Sequence, residues 1–418
     1  MSCTTITSSA AAVQEKKFIW PEDLSTINLT DAERDTIELA IQAFRQAKKS
    51  CSDNDTAYIK LKKKVKLDVT TSQGSVYQLT LPRSLIIYKD KSFVRLTGVH
   101  SLPGGGQQAS LKRVYNPDSG EWFLKKRAFS TEEETIVSFI SPPHKLMPQE
   151  ARDGFTDIPY FERTSRKRAY LEKQYPGSVA SLYRSKKNIV VGGKALCDLS
   201  SALHTIHSLT YSPPALTLHS SSVALTFFNT HCYHGDISPK NVVYELESPS
   251  EDSSIAIKHL RLIDWGAALQ LDHIIALPGW NSPEAIRFLQ SSHNPPEIQA
   301  FNLEYGRKKD AWAFGLLVGS ILRGNFIFEP STDATLPSFS FIAKKIKVTP
   351  DGSLDDSELA NLKQEEIDAK LTEIVSSFDQ STEFGAKGAM LWKAIGCWLQ
   401  VDPDKRRDLE TTYISLAP

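Results

Sequence analysis

Cysteine is scarce in this chain, and what there is does not pair. Cys3, Cys51, Cys197, Cys232 and Cys397 are odd in number, far apart and never in a Cys-x-x-Cys arrangement. That usage excludes a disulfide framework and a cysteine zinc site, and it predicts a reducing, cytoplasmic compartment. Net charge is missing too, because 49 basic residues balance 49 acidic ones. No global field is available to draw in nucleic acid or an anionic membrane, so neither is expected as a partner. No apolar run is long enough to span a bilayer; the longest, Ala311 to Leu322, predicts a buried helix. Met1 to Lys17 has neither a basic start nor an apolar stretch, which excludes a secretory signal. Its Ser, Thr and Ala content predicts a disordered leader over residues 1–17.

What is present suits a soluble folded chain. Its 418 residues, 40% hydrophobic and 23% charged, are enough for one large two-lobed domain or two to three ordinary ones. Thr30-Asp31-Ala32-Glu33 reads as a capping box, and Ile37, Ala40, Ile41 and Phe44 follow at helical spacing up to Lys48-Lys49. From Tyr58 to Phe93 the pattern shortens to alternation, in Val65/Leu67/Val69, Val76/Gln78/Thr80 and Leu85/Ile87, which predicts hairpins. The Lys60 to Lys66 charge run then coats a solvated strand. Further strands are predicted at Phe93 to Leu96, Ala109 to Tyr115, Trp122 to Lys126, Ile158 to Glu162 and Ala169 to Glu172. Ser130 to Glu134 starts a short helix that Pro142-Pro143 ends. After Gly193 the pattern is mainly helical, so the fold class is α+β. Two insertions, near 210–230 and 329–358, read as accessory hairpins or partner surfaces.

The chemistry concentrates in His234-Gly235-Asp236-Ile237-Ser238-Pro239-Lys240-Asn241 and in Leu262-Ile263-Asp264-Trp265-Gly266. Each stretch adjoins a strand-like apolar run, Val242 to Tyr244 and Leu260 to Ile263. Together they supply a carboxylate to receive a hydroxyl proton and an amide and a second carboxylate to hold a hard cation. Phosphoryl transfer needs that set: a positioned base, metal ligands and charge stabilisation.

In this order the two stretches resemble the catalytic loop and the Asp-Phe-Gly motif of protein kinases, with Trp265 in the place of Phe. Three later stretches extend the resemblance. Leu277-Pro278-Gly279-Trp280-Asn281-Ser282-Pro283-Glu284 is similar to the end of an activation segment. Asp310-Ala311-Trp312-Ala313-Phe314-Gly315 is similar to the start of the large buried helix whose aspartate ties down the catalytic loop. Cys397 to Arg406 is similar to the later element whose arginine pairs with the Ser-Pro-Glu carboxylate. The resemblance covers about 93 to 409.

It implies a β-rich N-lobe at 93–175 and a mainly helical C-lobe at 176–418, preceded by a helix and β-hairpin extension at 18–92. ATP and Mg2+ are the implied cofactor set, and a protein hydroxyl is the implied acceptor, serine or threonine by preference. Asp236 is then the catalytic base, with Asn241 and Asp264 as metal ligands. Lys125 on the Trp122 to Lys126 strand positions phosphates, with Phe123 on the same face near adenine and Lys126 on the other. Its acidic partner is Glu134, with Glu150 as rival. Gly104, Gly105 and Gly106 stand where a phosphate-binding glycine loop is expected, though without its Gly-x-Gly-x-x-Gly spacing. Backbone groups of Glu172 and Gln174 fall where a hinge binds adenine.

Departures from the family pattern carry their own expectations. Gly235 replaces the arginine that usually reads a phosphorylated activation loop, so activity without that modification is expected. Ser238 stands where Ser/Thr kinases place a lysine, and Leu277 where they place a threonine; Lys240 is the cation expected to neutralise the γ-phosphate instead. The His-Gly-Asp start is shared with small-molecule phosphotransferases of the aminoglycoside and choline kinase type, one rival reading. The other is a pseudokinase scaffold. The extension and the two insertions are candidate partner surfaces.

Overall fold

Alternating apolar residues in the first half of the chain have one economical use, the shared inner face of an antiparallel sheet. A computed structural model describes residues 17–22, parts of 31–42, 59–60, 65–70, 76–81, 85–88, 91–94, 112–127, 131–140, 149–164, 167–184, 189–191, 193–211, 230–247, 255–268, 274, 279–322, 347–348, 350 and 354–409. The chain divides into two compact units, Met1–Phe129 with Asp157–Gln174, and Ser130–Thr156 with Tyr175–Pro418.

In the first unit, β1 (Ile59–Lys60), β4 (Leu85–Tyr88), β5 (Lys91–Val94), β6 (Lys112–Asn116), β7 (Glu121–Arg127), β8 (Tyr160–Thr164) and β9 (Lys167–Lys173) form one sheet. Its order is β1-β4-β5-β6-β7-β9-β8, and each neighbouring pair is antiparallel. The hairpin expected at Val65 to Thr80 forms separately, as β2 (Val65–Thr70) against β3 (Val76–Leu81). Phe93, Val114, Phe123 and Leu171 make the buried cluster of this unit, and the Phe93 and Phe123 rings meet edge to face at 5.1 Å. The β6–β7 turn uses Gly120 at φ 73°, with its N–H donating to Asn116 O at 2.9 Å. The strand before it is tied to the start of the chain: Tyr115 Oη donates to Ile19 O at 3.0 Å, and Trp20 stacks on the Tyr115 ring.

The second unit carries a smaller sheet, in the order β10 (Gly177–Ser178), β14 (Val242–Leu246), β15 (Ile255–Leu262), β11 (Ile189–Val191). Only its β11–β15 pair is parallel. Sequence patterning picked out β14 and the end of β15 but missed β10 and β11, which are too short to show a period. Around the sheet lie helices Thr131–Ile140, Gln149–Asp153, Val179–Arg184 and Gly193–Ser208, then Pro283–Leu289, Pro295–Leu322, Gln364–Ser376 and Glu383–Trp398. Sheets that are largely antiparallel, combined with this helical set, make the fold a mixed α and β one, compatible with a kinase-like fold. No helix among the described residues is long and apolar enough to cross a membrane.

One expectation is corrected here. Asp310 does not start the large buried helix but sits near the middle of a 28-residue helix, Pro295–Leu322. The true start is an Asn294 capping box: Glu297 N–H donates to Asn294 Oδ1 and Asn294 N–H donates to Glu297 Oε2, both at 3.0 Å, with Pro295 at the first helical position. Nothing between Glu297 and Asp310 breaks a helix, so the turns run on. The C-terminal half is buried without interruption from Lys309 to Ile321. That is what an all-round apolar helix requires.

Gly306 explains how close this helix comes to the catalytic loop. A Cβ there would lie 2.5 Å from Cδ1 of the Tyr233 ring. In an exposed helix Gly→Ala gains about 1 kcal/mol. Here Gly306→Ala is expected to destabilise the protein by about 1–3 kcal/mol through overpacking. Urea unfolding decides the sign, and a higher midpoint would show the contact to be looser than described.

Candidate active site

A carboxylate buried among backbone amides builds the catalytic loop. Asp310 is 2% exposed, and both of its oxygens are occupied. Oδ2 accepts from His234 N–H at 2.6 Å and from His207 Nε2 at 3.0 Å, while Oδ1 accepts from Gly235 N–H at 2.9 Å. Burial opposes its charge, but the His207 hydrogen bond, the neighbouring histidines and the His234 amide together hold its carboxyl below the usual aspartate range. The tie expected between this aspartate and the loop backbone is therefore present. Gly235 takes φ 81°, and a Cβ at that point would lie 2.8 Å from Ala267 O. A side chain there would face both left-handed strain and a carbonyl.

The loop then delivers its functional groups. Asn241 Nδ2 donates to Asp236 O at 2.9 Å and to Asp236 Oδ2 at 2.8 Å, closing the five-residue span between them. Ala180 N–H holds the loop from outside by donating to Pro239 O at 2.9 Å. Asn241 directly precedes β14, and β14 pairs with β15 so that Val242 faces Leu262. Ile263 N–H donates to Asn241 O at 2.9 Å, which brings Asp264 to the same sheet end. Asp236, Asn241 and Asp264 thus come together although 22 residues lie between Asn241 and Asp264. Asp236 Oδ1 is buried and has no hydrogen-bond partner among the described residues. Burial raises the Asp236 carboxyl above its ordinary value; His234 opposes this and Asp264 adds to it. Lys240 is exposed on the turn before Asn241.

Asp264 is the one non-glycine residue at positive φ among the described residues, at φ 64° and ψ 72°. Such strain costs on the order of 1–3 kcal/mol and persists where surrounding packing imposes it. The packing here comes from Trp265, which is fully buried 4.7 Å from the His234 ring and 5.7 Å from Phe155. His234 is fixed in turn, with Nε2 against Ile263 O at 3.1 Å and Nδ1 accepting from Asp236 N–H at 3.3 Å. Helix Thr131–Ile140 packs on the Trp265–Ala267 turn and carries Glu134, which is buried.

The expected Glu284–Arg406 pair is formed and buried. Arg406 Nη1 and Nη2 donate to the two Glu284 carboxylate oxygens at 2.6 and 2.9 Å. The remaining guanidinium donors reach Lys308 O and Gln400 O, and the group sits 5.1 Å from the Trp312 ring centroid. Gly279 N–H and Asn281 Nδ2 both donate to Asp356 Oδ2, at 3.0 and 3.3 Å. Asp356 lies within the second insertion and was not singled out in the sequence, since a lone aspartate in an Asp/Ser-rich stretch carries no signal.

The nucleotide-side candidates belong to the first unit. Lys125 lies in β7 opposite Leu171, with Phe123 two residues back on the same face. Phe123 is taken up in the buried Phe93 cluster, a correction to its expected place beside adenine. Lys126 faces the other way and lies 5.9 Å from the Tyr170 ring centroid. Glu172 is buried in β9. Gln174 N–H is engaged by Trp122 O at 2.8 Å, and its side chain accepts from Arg113 Nε at 2.9 Å. Its amide is therefore not available as an adenine donor, and only its carbonyl remains. Gly104, Gly105, Gly106, Leu277 and the Glu150 side chain lie outside the described residues.

A second acidic group joins Asp153, Asp198 and His259, whose ligand atoms lie within 4.8 Å of one another. Lys194 Nζ already bridges the two aspartates, at 3.2 Å to Asp153 and 2.8 Å to Asp198, so the cluster works as an ion-pair network.

No protein-family model matches this chain. It is similar to a glycogen synthase kinase-3 homolog of Saccharomyces cerevisiae, 28% identical over 143 residues. The match spans 34% of this chain and 31% of that relative, about a third of each. This supports a place in the protein kinase superfamily, at that coarse level.

Two measurements test the scaffold. Arg406→Ala leaves Glu284 buried without a partner and should cost roughly 3–5 kcal/mol, read from the chemical-denaturation midpoint; a loss under 1 kcal/mol would contradict the buried pair. Because the Asp310 carboxyl is held low, its stabilisation is full above the unfolded-state value and is lost as pH falls through the folded one. Asp310→Asn should thus be less stable than wild type at pH 7, with the gap narrowing below about pH 4. A gap that is constant across pH would remove the assigned charge.

Proposed function

We propose that this protein is an ATP- and Mg2+-dependent protein kinase that transfers the γ-phosphoryl group to a serine or threonine hydroxyl. The reading rests on one observation above the others: Asp236, Asn241 and Asp264 converge at the end of β14 and β15, on a loop suspended from Asp310. The similarity to a protein kinase supports it at the level of the superfamily. We assign residues 93–175 to an N-lobe, 176–418 to a C-lobe and 18–92 to an extension; the extension and the insertions are candidate partner surfaces.

The proposed step balances as an in-line displacement. The acceptor oxygen attacks the γ-phosphorus, the bond to the β-bridging oxygen breaks, ADP leaves, and the hydroxyl proton passes to Asp236 Oδ1. That oxygen is suited to the role because it is buried and unpartnered, while Oδ2 is fixed by Asn241. The raised carboxyl of Asp236 brings its proton affinity closer to that of a base working near neutral pH. The donor set fits Mg2+: Asn241 spends its Nδ2 on Asp236, which leaves its side-chain oxygen Oδ1, with the Asp264 carboxylate, for a cation. Oxygen-only ligands of this kind are what a hard cation takes, and when bound it would neutralise charge on the phosphates. Lys125 is assigned to the phosphates, Glu172 and Gln174 carbonyls to adenine, and Gly104, Gly105 and Gly106 to phosphate oxygens.

Activity without activation-segment phosphorylation belongs to the same proposal. Gly235 offers no guanidinium to read a phosphate, and Ser282, the sole hydroxyl residue between Gly266 and Glu284, is 1% exposed. A cytoplasmic setting belongs to the same proposal: the described cysteines, Cys197, Cys232 and Cys397, carry free thiols, as a reducing compartment would keep them.

Incubation with Mg2+-ATP and a protein mixture should yield phosphoproteins, with Asp236→Asn reducing turnover by about 10²–10⁴-fold. Asp264→Asn should abolish the Mg2+-dependent rise in melting temperature that ATP produces. Phosphorylated small alcohols without phosphoprotein would favour the aminoglycoside kinase type instead. Nucleotide binding without any product in the wild type would favour a scaffold, and turnover unchanged in Asp236→Asn would remove the assigned base. Phosphatase treatment should leave turnover intact, and its loss would refute independence from phosphorylation.

A further inference from the structure

A carboxylate from the second insertion closes on the end of the activation segment. Asp356 Oδ2 accepts from Gly279 N–H at 3.0 Å and from Asn281 Nδ2 at 3.3 Å. These donors flank Trp280, so the acid spans the residue between them. Trp280 and Ser282 are buried, and with Asp236 and Asp310 they line a recess that has room for about one water molecule. A space that small sets the segment end hard against the catalytic loop. Any shift over Gly279 to Ser282 therefore changes the surroundings of Asp236.

The carboxylate is itself held. It opens the short 3₁₀ turn Ser357–Asn361, whose first bond runs from Leu359 N–H to Asp356 O at 2.9 Å. Leu359 and Ala360 are buried, and the turn packs on helix Pro283–Leu289. Arg287 Nη1 of that helix donates to Ala360 O at 2.9 Å, and Gln290 Nε2 at its end donates to Ser357 O at 3.3 Å. The same helix carries Glu284, which Arg406 fixes. Asp356 is thus a rigid acceptor, mounted on the scaffold that also carries the segment end.

Gly279 is a place where a holder is needed. It takes φ 82° and lies outside any strand or helix, so its amide has no ladder to join. A charged acceptor binds such an amide more strongly than a neutral one. The segment has little means of fixing itself by phosphorylation: Ser282, its sole hydroxyl residue between Gly266 and Glu284, is buried, and Gly235 brings no arginine to a phosphate.

We propose that Asp356 is a positioning residue for the acceptor: it keeps the end of the activation segment in the shape that receives a protein substrate. The proposal rests on the kinase reading above and adds to it the group that makes phosphorylation unnecessary. Asp356 acts through Gly279 and Asn281 rather than on the reacting atoms, so its effect belongs to acceptor binding and not to ATP.

The test uses the full-length chain with Mg2+-ATP and dephosphorylated casein as the probe acceptor. Asp356→Ala should raise the KM for casein about ten- to a hundredfold, with kcat and the KM for ATP within about twofold of wild type. Asp356→Asn keeps an acceptor oxygen without the charge and should fall between the two; being nearly isosteric, it decides the matter if Asp356→Ala does not fold. Hydrogen exchange reads the grip without reference to activity: amides over 279–282 should exchange about tenfold faster in Asp356→Asn, and those of Thr131–Ile140 at the wild-type rate. An unchanged KM for casein overturns the positioning role, even where exchange quickens, and leaves the kinase reading standing. Equal losses towards casein and ATP, or faster exchange in both segments, mark Asp356 as a general strut and overturn it too. If wild type phosphorylates neither casein nor the protein mixture, the kinase reading fails, and this inference with it.

Discussion

The buried Asp310 carboxylate is the constraint on which the rest of the active-site geometry depends. It belongs to a helix, yet its hydrogen bonds are spent on the backbone of a loop more than 70 residues earlier. A loop that turns through a positive-φ glycine has no ladder of its own to satisfy its amides. Asp310 provides acceptors for two of them, and His207 completes its second oxygen. Because the acceptor is charged and enclosed, these bonds are stronger than neutral ones. The loop is thereby held without a regular strand or helix at its tip, leaving Asp236 Oδ1 unspent.

From this anchor the other parts follow outward. The same helix presents Lys309 one residue earlier and Gly306 one turn earlier, so its rotation decides both the pocket lining and the approach of Tyr233. On the far side, Arg406 holds Glu284 and so fixes the start of helix Pro283–Leu289, below the turn that Asp356 grips through Gly279 and Asn281. Strain at Asp264 is held in place by Trp265 packed on His234. The three candidate side chains are therefore positioned by buried groups around them, which is how a rigid site is built from loops.

How much of this could be read from the chain alone depends on the range of each interaction. The Asp236–Asn241 spacing was legible because a five-residue loop closes on itself within local reach, and Glu284 and Arg406 were legible as short motifs in order. The hairpins and the helix over Thr131–Ile140 followed from alternation and from proline. Other features left no mark. Asp310 was expected at a helix start, but Asn294 caps a helix that continues through it, since no proline follows the first turn and the single Gly306 is held by packing against Tyr233. Phe123 was expected beside adenine; alternation placed it on the Lys125 face, and only packing shows that Phe93 and Leu171 enclose it. Gln174 offered a backbone amide until its pairing with Trp122 was visible.

The sequence by itself determined which chemical groups exist and where the strands and turns that carry them begin, because those depend on neighbours a few residues apart. Only the tertiary structure decided which of those groups are buried without partners. Asp236 Oδ1 and Ser282 Oγ read as ordinary side-chain oxygens in the chain, and become buried without a described partner only when a helix and a distant segment close around them. Burial is a property of the folded surroundings rather than of the residue. For this protein, the surroundings that matter are assembled from segments tens of residues apart.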